Sequence, residues 1–117
     1  MDVLNWSTIP REELKPGLVR QMINTAHMTI ARLEMKAGSV VPAHSHYNEQ
    51  VSMVVSGSLK FLLDDGAVIV RAGEILELKP HVRHGVEVLE DSVAVDLFTP
   101  PREDWITGND AYLRGER

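Results

Sequence analysis

Two histidines one residue apart, His44 and His46, and a glutamine four residues further on, Gln50, are the side chains here best suited to chemistry. On an extended strand, residues i and i+2 project to the same side, so both imidazoles can reach one ion, and Gln50 has the same parity. Glu49, a more usual kind of ligand, has the opposite parity and is expected to point away. Imidazole and amide donors suit Zn, Ni, Fe, Mn or Cu, and this set does not choose among them. The chain has no cysteine, which excludes thiolate ligands, disulfides and a cysteine nucleophile.

A second candidate lies near the end of the chain. Ser92, Ala94, Asp96 and Phe98 share one face of an alternating segment whose other face is Val93, Val95 and Leu97. If the even-numbered face is interior, Asp96 stands in a partly desolvated place where its proton affinity is open to tuning. The alternative is a structural aspartate bonded to Arg32 or to a backbone amide, and the pattern leaves both readings open. His81 and His27 are read as ordinary residues, His81 as a turn position tolerant of positive φ and His27 as a lone polar group at a strand start.

These groups need a frame of strands. Short runs rich in Val, Ile, Leu, Met and Thr recur with turn signals between them, the pattern of an all-β sandwich or barrel. The expected strands are Gly17 to Asn24, His27 to Met35, Val40 to His46, Gln50 to Ser56, Ser58 to Leu63, Ala67 to Arg71, Ile75 to Leu78, Gly85 to Leu89 and Val93 to Phe98. Thr99, followed by Pro100, Pro101, Glu103 and Asp104, reads as the N-cap of a short terminal helix. Trp6, Ile9 and Leu14 are apolar points in a polar arm, expected to dock on this barrel or on a neighbouring subunit.

With 117 residues, 44% of them hydrophobic and 25% charged, the chain is expected to form one globular domain. Its parts would be an arm over 1–16, a barrel over 17–98 and a helical tail over 99–117. The net charge of -5, with scattered basic residues, gives no footprint for nucleic acid. The opening residues lack a signal-peptide pattern and no 18-residue apolar run occurs, so the expectation is a cytoplasmic protein without a membrane partner.

Gly38, His44, His46, Gln50 and Gly57, followed by Gly73 and His84, together resemble the paired cupin motifs, G-x5-H-x-H-x3-E-x6-G and G-x5-P-x-G-x2-H-x3-N. The resemblance covers nearly the whole chain and implies a double-stranded β-helix, the cupin jelly-roll barrel. It also implies one divalent metal held by His44, His46, Gln50 and His84, with Gln50 standing where the family usually has Glu. Lys79 and His81 replace the second motif's Pro and Gly, and its terminal Asn is missing. Three neutral imidazoles and an amide leave the dipositive charge uncompensated, which favours an anionic ligand.

Asp96, Phe98 and Arg102, together with the glutamine ligand, resemble the pectin-degradation cupins that linearise 4,5-unsaturated monouronates. That resemblance implies Asp96 as acid and base, Arg102 as partner of the substrate carboxylate and Phe98 as a pocket wall, acting on a small anionic sugar. Ser52 stands where the pattern has Gln, so substrate contacts are expected to differ. Two other readings fit the platform: a metal dioxygenase, and a non-catalytic small-ligand-binding protein. A homodimer is the expected assembly.

Overall fold

Alternating burial runs through Glu49–Ser56 and Ser92–Thr99, and such runs become strands because only an extended backbone turns every second side chain to one face. The computed structural model describes residues 2–115. Its strands are β1 (Glu12–Lys15), β2 (Leu18–Asn24), β3 (Thr29–Met35), β4 (Val40–His44), β5 (Glu49–Ser56), β6 (Ser58–Leu63), β7 (Gly66–Arg71), β8 (Ile75–Leu78), β9 (His84–Val88) and β10 (Ser92–Thr99). A 3-10 turn, Trp6–Thr8, precedes them and one short helix, α1 (Glu103–Ile106), follows.

Two antiparallel sheets face each other, six-stranded in the order β1-β2-β3-β10-β5-β8 and four-stranded in the order β4-β9-β6-β7. Their inner faces supply Leu18, Ala31, Val54, Phe61, Val86, Ala94 and Phe98 to a common core. This is the double-stranded β-helix implied by the motifs. Gly57 makes the β5–β6 corner possible: its φ is +85°, and a Cβ there would collide with Ser92 on β10.

The observed elements depart from the sequence reading in two main places. The sheet begins at Glu12, inside the segment expected to be an arm, because the backbone of β1 pairs with β2 although only Leu14 of its side chains is buried. The arm ahead of it docks on this chain's own barrel, where the Gln21 amide donates to the carbonyls of Trp6 (2.6 Å) and Ile9 (3.0 Å). Thr99 is not an N-cap; it ends β10 paired with Glu49, and α1 starts four residues later as a single turn.

After α1 the chain folds back over the barrel in turns rather than continuing as helix. Asp110 accepts from Arg20 on β2 at 2.9 Å, both side chains only 1% exposed, and Arg114 also donates to Asp110 at 2.8 Å. Removing one partner of such a buried pair strands the other charge, which fixes this return segment in place. Two guanidinium groups lie over the Trp105 ring, Arg20 at 4.8 Å and Arg102 at 4.1 Å from its centroid.

Candidate metal centre

His44 ends β4 and His84 opens β9, and the two are register partners in the four-stranded sheet. His46 follows in the turn between the sheets, and Gln50 lies on β5 in the other sheet. The group therefore converges across a change of sheet rather than along one strand. The nitrogens of His44, His46 and His84 that could hold an ion all lie within 4.8 Å of one another.

Each imidazole is oriented by its own backbone neighbourhood. Nδ1 of His44 meets the Pro42 carbonyl at 2.8 Å, that of His84 meets the Val82 carbonyl at 2.8 Å, and that of His46 meets the Asn48 carbonyl at 3.0 Å. A carbonyl only accepts, so each Nδ1 carries the proton and each Nε2 presents a lone pair. Nε2 of His84 is buried without a hydrogen-bond partner. Nε2 of His46 faces Oε1 of Gln50 at 3.0 Å, while the Gln50 amide nitrogen donates to Ser52 Oγ at 2.9 Å. Two acceptors face to face and an orphaned third lone pair fit a cation, and these donors suit a divalent transition metal.

The electrostatics agree with that fit. Burial, helped by nearby positive charge, holds the pKa of His44 and His46 down to about 4, and burial lowers that of His84 as well. The imidazoles are thus neutral, as metal ligands must be. Burial instead pushes Asp96 up to about 7, against the opposing hydrogen bond from Ser52 and the charge of Arg102.

A pH dependence of stability follows for the metal-free protein. Below pH 6.5 the unfolded chain protonates these three histidines while the folded one resists, His44 and His46 down to about 4 and His84 in the same direction, and among these site groups the folded chain gains only the Asp96 proton in exchange. The unfolded state then binds more protons, so stability falls as pH drops from about 6.5 towards 4. Melting temperatures of chelator-treated protein across that range should decline continuously, and a flat profile would contradict the burial of neutral imidazoles.

Asp96, on β10, lies opposite Ser52 on β5, and Gln50 Nε2 approaches its carboxylate at 3.4 Å. Arg32 pairs with Glu34 instead, so it is not the partner of Asp96. Arg102 is 1% exposed; it grips Asp104 through Nε (2.9 Å) and Nη2 (2.8 Å) and lies 4.8 Å from the Phe98 ring. His44, Gln50, His84, Asp96, Phe98 and Arg102 line one cavity of about 50 Å³. That is room for a few waters or a carboxylate group.

His81 has a φ of 67°, the left-handed turn geometry expected of it, and His27 is exposed. Two polar anchors escaped the sequence reading. Asn48 donates its amide to the carbonyls of Pro100 and Pro101, tying the ligand turn to the corner before Arg102. Thr29 accepts from the Arg102 backbone N–H at 2.9 Å. The available signal for Asn48 was a turn-forming residue wedged between two ligand candidates.

Facing antiparallel sheets with a histidine triad between two strand ends define a double-stranded β-helix protein with a potential metal site. The chain belongs to the cupin family, whose profile, described as Cupin domain, matches residues 31–99. It is similar to an RmlC-like cupin from Shewanella frigidimarina NCIMB 400, with 27% identity and a TM-score of 0.82 over 90% of this chain and 96% of that one. Similarity to KdgF from Halomonas sp. is of the same order, with 25% identity and a TM-score of 0.83 over 90% and 98%. Lactobacillus farciminis oxalate decarboxylase shares the fold alone, at 14% identity and a TM-score of 0.73 over 92% of this chain and 39% of that one. A search of curated protein sequences finds no match. Among the described residues, no helix is long and apolar enough to cross a membrane.

Proposed function

We propose that this chain is a metal-dependent cupin that opens and ketonises 4,5-unsaturated uronate monosaccharides released from pectin or alginate. The observation that supports it best is that Asp96 and Arg102, both buried, line one cavity with His44, Gln50 and His84. The resemblance of the sequence to pectin-degradation cupins and the structural likeness to KdgF from Halomonas sp. point the same way.

His44, His46, Gln50 and His84 would hold the metal, and a divalent cation bound there would supply Lewis acidity towards the substrate's carboxylate or ring oxygen. Arg102 uses Nε and Nη2 on Asp104, which leaves Nη1 to reach a carboxylate. Phe98 walls the pocket beside it. Asp96 carries the proton transfers. The C1 hydroxyl gives up a proton as the C1–O5 bond breaks, the former ring oxygen becomes an enol oxygen on C5, and C4 gains a proton as C5 becomes a ketone. One proton leaves and one arrives, so the reaction needs no oxidant or co-reactant. The cavity admits the carboxylate, and the sugar ring would lie at its mouth, where His44 and His46 are only half-buried.

The test is to incubate zinc-loaded protein anaerobically with unsaturated monogalacturonate and follow loss of the conjugated-acid absorbance against an enzyme-free control. Turnover without oxygen and with a redox-inert ion separates this reading from a dioxygenase. Gln50→Glu gives a second check: a carboxylate ligand should hold the metal at least as tightly yet cancel part of the charge that attracts the anion. The Michaelis constant should therefore rise, and an unchanged or lower value would count against an anion held at the metal.

A further inference from the structure

Tyr112 belongs to no motif, and its hydroxyl has an unspent proton. Its ring lies against His44, with centroids 4.6 Å apart, on the return segment that covers the cavity. The phenol oxygen meets Arg102 Nη2 at 2.8 Å and Trp105 Nε1 at 3.1 Å. Guanidinium and indole nitrogens are donors only, so both contacts use the oxygen as acceptor and neither takes its proton. Among the described residues nothing accepts that proton. A largely buried phenol normally finds such a partner. Here Tyr112 lines the same small cavity as His44, Asp96 and Arg102.

We propose that Tyr112 is a ligand-recognition residue, its O–H donating to an oxygen of an anion held between His44 and Arg102. The inference rests on the reading of this site as one for a carboxylate, and it adds a specificity-determining group on the C-terminal segment to those on the barrel. Arg102 supplies charge, and Tyr112 supplies direction. Its two accepted bonds hold the oxygen in place and polarise the O–H, strengthening it as a donor.

A purely structural Tyr112, one that only anchors Arg102 and Trp105, predicts the opposite response to phenol acidity. Fluorination makes the phenol a stronger donor and its oxygen a weaker acceptor. The experiment measures, by isothermal titration, binding of galacturonate, which is saturated and does not react, and of acetate to zinc-loaded protein. The proteins compared are wild type, Tyr112→Phe and a form with 3-fluorotyrosine at position 112. Losing a hydrogen bond to a charged oxygen should weaken binding about 10- to 100-fold in Tyr112→Phe. The fluorinated protein should bind more tightly than wild type.

If acetate shows this order while galacturonate does not bind wild type, the uronate reading fails and the role of Tyr112 stands. If Tyr112→Phe binds both probes like wild type, or fluorination weakens binding or leaves it unchanged, the donor role is overturned even where galacturonate binding upholds the uronate reading. Wild type binding neither anion would overturn both.

Discussion

Asp96→Asn should lower the rate of uronate ketonisation by roughly 10²- to 10⁴-fold, the usual contribution of a positioned acid or base, while metal content stays unchanged. The substitution suits the site because the polar contacts survive it. Gln50 Nε2 and the Ser52 hydroxyl, which both donate to the Asp96 carboxylate, can still donate to the side-chain oxygen of an amide. An amide also avoids the desolvation that raises the pKa of Asp96, so the fold has little to lose. The informative measurement pairs the single-turnover rate with the melting temperature. A structural aspartate would show a lowered melting temperature and near wild-type turnover in metal-replete protein, and that pair of results would remove Asp96 from the mechanism.

The inward direction of Asp96 was legible because parity on a regular strand is a local property: Ser92, Ala94, Asp96 and Phe98 are all buried on β10. The convergence of His44, His46 and Gln50 was also legible, but strand parity is not what produces it. β4 ends at His44, and the chain changes sheets before Gln50, so the turn held by Asn48 brings the groups together. The glycine and histidine spacing encoded that geometry more faithfully than the alternation rule. β1 was missed because Glu12, Glu13 and Lys15 carry no apolar alternation; its partner strand, rather than its own propensity, makes it a strand.

At Thr99 two local preferences competed. The capping residue and prolines favour a helix start, but the backbone of Thr99 pairs with Glu49 and prolongs β10. Tyr112 was illegible for a related reason. Nothing around it is periodic, and its place over His44 is set by the tail's return, fastened by Arg20 and Asp110, 90 residues apart in sequence. Contacts of that range leave no trace in a local window.

His84→Ala should abolish stable metal binding, lowering the apparent affinity by more than about 100-fold, since even outer partners of ligands are typically worth 10- to 100-fold. This residue separates ligand from scaffold better than its neighbours do. It is 2% exposed, its Nδ1 is bonded to Val82, and its Nε2 is buried and unbonded. Deleting the ring leaves a small cavity but also relieves that unpaired nitrogen, so the metal-free variant should lose less stability than an ordinary large-to-small core change. The metal-loaded comparison should look quite different. An ion that binds only the folded state raises the melting temperature by an amount that grows with the logarithm of its concentration over its dissociation constant, so wild type should be stabilised by added zinc and the variant far less. Elemental analysis after dialysis, read beside the zinc-dependent change in melting temperature, decides the matter. Equal metal content in both proteins would mean that His84 is a core histidine and that the candidate centre is wrongly composed.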